Sequence, residues 1–214
     1  MEELITRDSS VTFYNKEYED IYHSKSGAIE EATEKFARPA LEHIKRIGKK
    51  EITLLDICFG LGYNSCAVID LVKENIEDFK ISITGIEKDI KIIEKIKEIQ
   101  PEFKNYNLIK KARNGNVKEE SIFIQLIIKD ALEVIENLNE KYDIVFHDPF
   151  APKKHPELWT KEFFVKVSSC MNRGGKLYTY SCARSVRDAL KEAGFSIEDG
   201  PKVGRRAPST IATL

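Results

Sequence analysis

Cysteine is scarce: the four in 214 residues, Cys58, Cys66, Cys170 and Cys182, form no CxxC pair, and no two of the four histidines stand at metal-ligand spacing. That argues against a zinc site and a disulfide framework, and reads as reduced thiols in a cytoplasmic protein. No apolar run approaches the roughly 18 residues that cross a bilayer, and the opening MEELITRDSS has no apolar segment, so neither anchoring nor export is expected. An excess of one charge is also missing: 34 Lys and Arg stand against 35 Asp and Glu, and the net charge of −1 by itself demands no nucleic-acid partner. Internal repeats and low-complexity linkers are absent. At 42% hydrophobic residues, 1–214 reads as one domain with a core of its own.

What is present begins with spaced aromatics over Ser10 to His23, which suggest one or two short strands or an extended arm. Ile29, Ala32, Phe36, Ala40 and Ile44 then recur at helical spacing, with Pro39 predicting a kink or a break into two helices. Residues 1–50 are therefore an arm and helices preceding the core over 51–214. Within that core, β-rich apolar runs at 52–58, 81–87, 122–128, 142–147 and 176–180 alternate with amphipathic stretches near 64–75, 89–99, 131–139 and 157–171. A helix over Ala183 to Ala193 and a last strand in PSTIATL complete the pattern. Such alternation builds an α/β fold with a mostly parallel sheet covered by helices on both faces. The stretch from 100 to 121, with its NGN turn, is too long for a plain connection and reads as a small insertion.

The run DICFGLGYN, Asp56 to Asn64, ends the first core strand and opens a helix through a glycine turn. Glycines there let a ligand approach the backbone, as nucleotide-type cofactors do. Ser65 stands where a dinucleotide fingerprint needs its third glycine, which disfavours a pyrophosphate. S-adenosylmethionine suits the pattern better: Glu87, at the end of the second strand, can hold the ribose hydroxyls, and Asp130, followed by Ala131, can reach the adenine amine or cap a helix.

DPFAP, Asp148 to Pro152, ends the fourth strand. Pro149 stops the ladder and Pro152 stiffens the loop, so that Asp148 and Phe150 are presented above the sheet, facing the glycine turn if the two strands flank the point where strand order reverses. Asp148 is then placed to accept a hydrogen bond from an amine and aim its lone pair, and Phe150 to stack on a flat base. Lys153, Lys154 and His155 after this loop, and Lys202, Arg205 and Arg206 near the C-terminus, form small basic clusters able to grip phosphates if they border the cleft.

With these residues in hand, the chain resembles the methyltransferase part of the bacterial bifunctional enzyme that completes 5-methylaminomethyl-2-thiouridine at the tRNA wobble position, and its stand-alone relatives. DICFGLGYN is similar to that family's E/D-x-GFGTGLN turn and HDPFAPKKHPELW to its DGFAPxKNPxMW segment; YHSKSGAIEEA, GGKLYTYSCARSVRDALKEAGF and VGRR extend the likeness. Two residues depart from it: Cys58 stands where Gly is usual, and Pro149 where Gly or Ala is.

The resemblance implies a Rossmann-like class I methyltransferase fold with a seven-stranded sheet, S-adenosyl-L-methionine as cofactor, tRNA as partner, no metal and no membrane. It makes Asp148 the catalytic carboxylate. The candidate cofactor site joins Tyr22 and Ser24 to Phe59, Gly60, Gly62 and Asn64 of the turn, to Glu87 with Lys88, to Asp130 with Ala131, and to Asp148 itself. The candidate substrate side comprises Phe150, Pro152, Lys153, Lys154, Arg205 and Arg206. Methylation of a small amine, aminopropyl transfer from a decarboxylated cofactor, and a noncatalytic tRNA-binding module are the competing readings. The sequence leaves the oligomeric state and the identity of the tRNAs open.

Overall fold

Alternating apolar runs and amphipathic segments build a three-layer α/β architecture in the computed structural model, which describes residues 1–204 and 206–214. The chain opens with a small antiparallel sheet of β1 (Glu2–Ile5), β2 (Val11–Asn15) and β3 (Asp20–Ile21). A helical run follows: α1 (Ala28–Glu31), a π turn over Ala32–Ala37, and α2 (Arg38–Ile47). Where a kink or two helices are expected at Pro39, the structure shows a π turn running into α2 without a break. Proline has no N–H to return to the preceding turn, and widening that turn, with the Arg38 N–H reaching the Thr33 carbonyl, lets the helix continue.

The core then runs β4 (Glu51–Ile57), α3 (Tyr63–Asn75), β5 (Lys80–Glu87), α4 (Ile90–Lys95), α5 (Tyr106–Ala112), β6 (Asn116–Glu119), β7 (Ile122–Ile128) and α6 (Ala131–Val134). It closes with β8 (Tyr142–His147), α7 (Lys161–Ser169), β9 (Met171–Thr179), α8 (Arg184–Glu192), β10 (Ser196–Asp199) and β11 (Thr210–Thr213). The helix expected over 157–171 is instead a 3-10 turn at Pro156–Trp159 followed by α7. Thr160 restarts the helix by accepting the Phe163 N–H on its hydroxyl.

Strand order in the large sheet is β10-β11-β9-β8-β4-β5-β7-β6. The five inner strands β9, β8, β4, β5 and β7 pair in parallel, and the β10–β11, β11–β9 and β6–β7 pairs are antiparallel. The sheet thus has eight strands, not the expected seven: the NGN turn leads from α5 into the edge strand β6, and a reversal at Glu120 pairs β6 with β7. One core cluster, which includes Phe36, Ile44, Val68, Ile92 and Ile109, covers one face; the other, with Val134, Phe163, Phe164 and Leu190, covers the opposite face. Strand order reverses at the β4–β8 pair. The crevice of such a sheet lies beyond the carboxyl ends of the strands at that reversal.

Candidate functional site

The DICFGLGYN turn is held by both neighbouring strands. The Cys58 and Phe59 N–H groups donate to the Ile86 carbonyl at 2.9 and 3.0 Å, and the Asp148 N–H donates to the Ile57 carbonyl at 3.2 Å. Asp56, fully buried, accepts the Ser65 hydroxyl at 2.6 Å and ties β4 to the first turn of α3; burial pushes its carboxyl up to about 7. Cys58, Gly60 and Gly62 all adopt left-handed backbone, with φ of 66°, 55° and 72°. That conformation explains why a glycine is usual at position 58, and Cys58 holds it as a strained exception. Burial and the nearby Glu87 and Asp148 raise its thiol well above the ordinary range, so Cys58 stays protonated.

Glu87 is buried at the end of β5, where its two carboxylate oxygens accept the Gly60 and Asp89 N–H groups, each at 2.9 Å. It therefore shapes the turn as well as facing the crevice, and burial raises its pKa. Asp130 does cap α6, accepting the Leu132 N–H at 2.9 Å, while its other oxygen lies 3.7 Å from Lys88 Nζ. The helix-cap and ligand-facing readings of Asp130 use different oxygens.

Two adjoining cavities open over these residues. One, of about 460 Å³, is lined by Glu87, Lys88, Asp130, Ala131, Tyr18 and His155 among others. The second, of about 330 Å³, is lined by Ser24, Gly60, Asn64, Asp148, Glu31 and Lys35 among others. Tyr22, Cys58 and Phe150 line both. The Tyr22 hydroxyl donates to Asp89 at 2.7 Å, which brings the N-terminal arm over the end of β5.

Asp148 sits in the second cavity with one oxygen accepting the Asn64 side-chain amide at 2.8 Å. Burial first, then the nearby Glu31 and Asp56 carboxylates, push its pKa up to about 8; the Asn64 hydrogen bond and Lys35 oppose the rise. Its loop is pinned at both sides: Trp159 Nε1–H donates to the Phe150 carbonyl at 2.9 Å, and the Tyr180 hydroxyl to the Pro149 carbonyl at 3.1 Å.

The candidate substrate residues are less gathered. Phe150 lines both cavities, with Tyr18 stacked on it at 4.7 Å and Tyr22 tilted against it at 5.0 Å. Pro152, Lys153 and Lys154 belong to the same loop without lining either cavity; Lys153 and Lys154 are exposed, and Lys154 lies 3.4 Å from Glu19. Arg206 is exposed, two residues past Gly204 at the rim of the second cavity, and Arg205 lies outside the described residues. Phe59 packs inward beneath the turn, where a Cβ on Gly62 or Gly85 would strike its ring. Sequence reasoning missed Glu31, Lys35 and Tyr18 as site residues. Glu31 lay inside the YHSKSGAIEEA segment, but helical spacing alone does not say which charged residues turn inward.

Among the described residues no group of three His, Cys, Asp or Glu is placed to hold a metal ion, and no helix is long and apolar enough to cross a membrane.

A family model described as S-adenosyl-L-methionine-dependent methyltransferase matches residues 93–214. An uncharacterized protein of Methanocaldococcus jannaschii is 32% identical over 97% of this chain and 58% of its own length. The tRNA 5-methylaminomethyl-2-thiouridine biosynthesis bifunctional protein MnmC of Leptospira interrogans is 26% identical over 98% of this chain and 35% of its own. This chain thus spans between about a third and three fifths of these two relatives. The crystal structure of MNMC2 from Aquifex aeolicus superposes with a TM-score of 0.85 at 32% identity, covering 100% of this chain and 70% of that one.

Proposed function

We propose that this chain, which belongs to the S-adenosyl-L-methionine-dependent methyltransferase family, methylates the amine of 5-aminomethyl-(2-thio)uridine at the tRNA wobble position to give the 5-methylaminomethyl form. The observation that carries this reading is Asp148, held by Asn64 in a cavity that adjoins the Glu87 cavity, on a loop resembling that of the wobble-uridine enzymes. The likeness to MNMC2 from Aquifex aeolicus over the whole chain supports it.

The residues present fit the cofactor. Each Glu87 oxygen accepts one backbone N–H and keeps a second lone pair, which suits the donor hydroxyls of a ribose. Asp130 and Ala131 line the same cavity, where they could receive an adenine, and Gly60, Asn64 and Asp148 line the other. When bound, the cofactor supplies a methyl group on a sulfonium, ready for attack by a nitrogen lone pair. Replacing Glu87 by Gln sets an amide N–H₂ against a backbone N–H that now meets an oxygen, so affinity for S-adenosylmethionine is expected to fall at least tenfold by titration calorimetry.

Asp148 meets the amine side of the reaction. In water a carboxylate near 3.9 and an alkylammonium near 10.4 differ by about 6.5 units, or about 9 kcal/mol. With Asp148 raised to about 8, the gap shrinks to about 2.4 units, or about 3 kcal/mol. Only the ionised side chain, whose share grows as pH rises toward about 8, can accept the proton the amine sheds, while Asn64 fixes its direction.

Purified protein incubated with S-adenosylmethionine and tRNA lacking the final methyl is expected to add the mass of one methyl to the wobble uridine, read by nucleoside mass spectrometry. No mass gain on that uridine overturns the reading, and methylation of a free small amine without tRNA would transfer it to another substrate class.

A further inference from the structure

Lys35 is only 4% exposed, an unusual place for a lysine, and it lies on the π turn against the second cavity. Burying an ammonium costs several kcal/mol unless it is paired. Its partner is Glu31, one helical turn earlier, at 2.5 Å. Glu31 in turn accepts the Ser24 N–H at 3.0 Å on its other oxygen, so the carboxylate is held from two sides and aims the lysine. An ammonium carries three donors, and Glu31 takes one. Among the described residues lining this cavity, Lys35 is the one Lys or Arg, beside the carboxylates Asp20, Glu31 and Asp148.

We propose that Lys35 receives the carboxylate of the amino-acid arm of S-adenosylmethionine and selects that molecule over its decarboxylated form. This rests on the cofactor reading above. The arm ends in an ammonium and a carboxylate, whereas the decarboxylated molecule ends in an ammonium alone and carries two positive charges. Paired with Glu31, the Lys35 ammonium keeps two donors that suit an anion and repels a second cation, so the arm's carboxylate meets a partner here that the dication lacks. Glu31 acts here as a positioning residue. The same pair thus separates methyl transfer from aminopropyl transfer, which uses the decarboxylated molecule.

Titration calorimetry with S-adenosylmethionine, its decarboxylated form, and 5′-deoxy-5′-methylthioadenosine, which lacks the amino-acid arm, tests the assignment without turnover. Wild type is expected to bind S-adenosylmethionine at least tenfold more tightly than the decarboxylated form. Lys35→Met is expected to lose at least tenfold for S-adenosylmethionine, change methylthioadenosine less than threefold, and abolish or reverse the preference; Lys35→Arg keeps it. Because Lys35→Met strands a half-buried Glu31, the Glu31→Gln/Lys35→Met double variant, which removes both charges, is measured beside it and is expected to show the same lost preference.

Equal losses for S-adenosylmethionine and methylthioadenosine in both variants, or no preference in wild type, overturn the role of Lys35 and leave the methyltransferase reading intact. A wild type that binds neither S-adenosylmethionine nor methylthioadenosine overturns both.

Discussion

Asp148→Asn is expected to lower the methylation rate by roughly 10²- to 10⁴-fold, the usual worth of a placed proton acceptor, and yet to make the folded protein more stable at neutral pH. Both effects have one cause. Burial and two neighbouring carboxylates hold the Asp148 pKa up to about 8, so the folded protein resists ionising it. Between the unfolded value near 3.9 and about 8, the folded state binds a proton that the unfolded state has released, and stability falls as pH rises through that window. Asn carries no such penalty, and its carbonyl can still accept the Asn64 amide. A gain of about 1–2 kcal/mol, or roughly 2 to 8 °C in Tm, is expected at pH 8 and none at pH 4, by thermal unfolding at both values. Unchanged turnover would remove Asp148 from the chemistry; equal Tm differences at both pH values would remove the ionisation argument.

The second large effect concerns the turn. Gly62→Ala is expected to destabilise the protein by about 3 kcal/mol, lowering Tm by roughly 6 to 12 °C. At φ 72° a side chain costs about 1–2 kcal/mol, and the new Cβ would lie 2.7 Å from both Phe59 Cζ and Ile109 Cγ2. Phe59 is 4% exposed and packed in the core, so its ring has little room to move aside. Gly60→Ala makes the control: its φ is also left-handed, but its Cβ would meet Tyr22 at an ordinary 3.7 Å, so only the backbone part of the loss is expected. Equal losses at the two positions would show that Phe59 yields.

Much of this was legible in the chain because it depends on short-range rules. Periodicity placed β4, β5, β7 and β8 within a residue of where they lie, and Pro149 marked the end of β8 because proline cannot continue a ladder. The edge strand β6 was not legible. NVKE carries no apolar alternation, and only its pairing with β7 makes it a strand. The helix beyond Trp159 was read through a cap, since a Thr restarting a helix interrupts the pattern by a single residue.

By itself, then, the sequence determined the α/β class, the glycine turn and the acids that end its strands, since these follow from local backbone sterics and from side-chain period. Tertiary structure decided which charges share a cavity. Glu31 and Lys35 sit more than a hundred residues before Asp148, yet the packing of the π turn beside α3 brings all three to one cavity. It also decided the state of Asp148, because a carboxylate is raised by the dielectric and the charges around it in space, and no spacing along the chain encodes those.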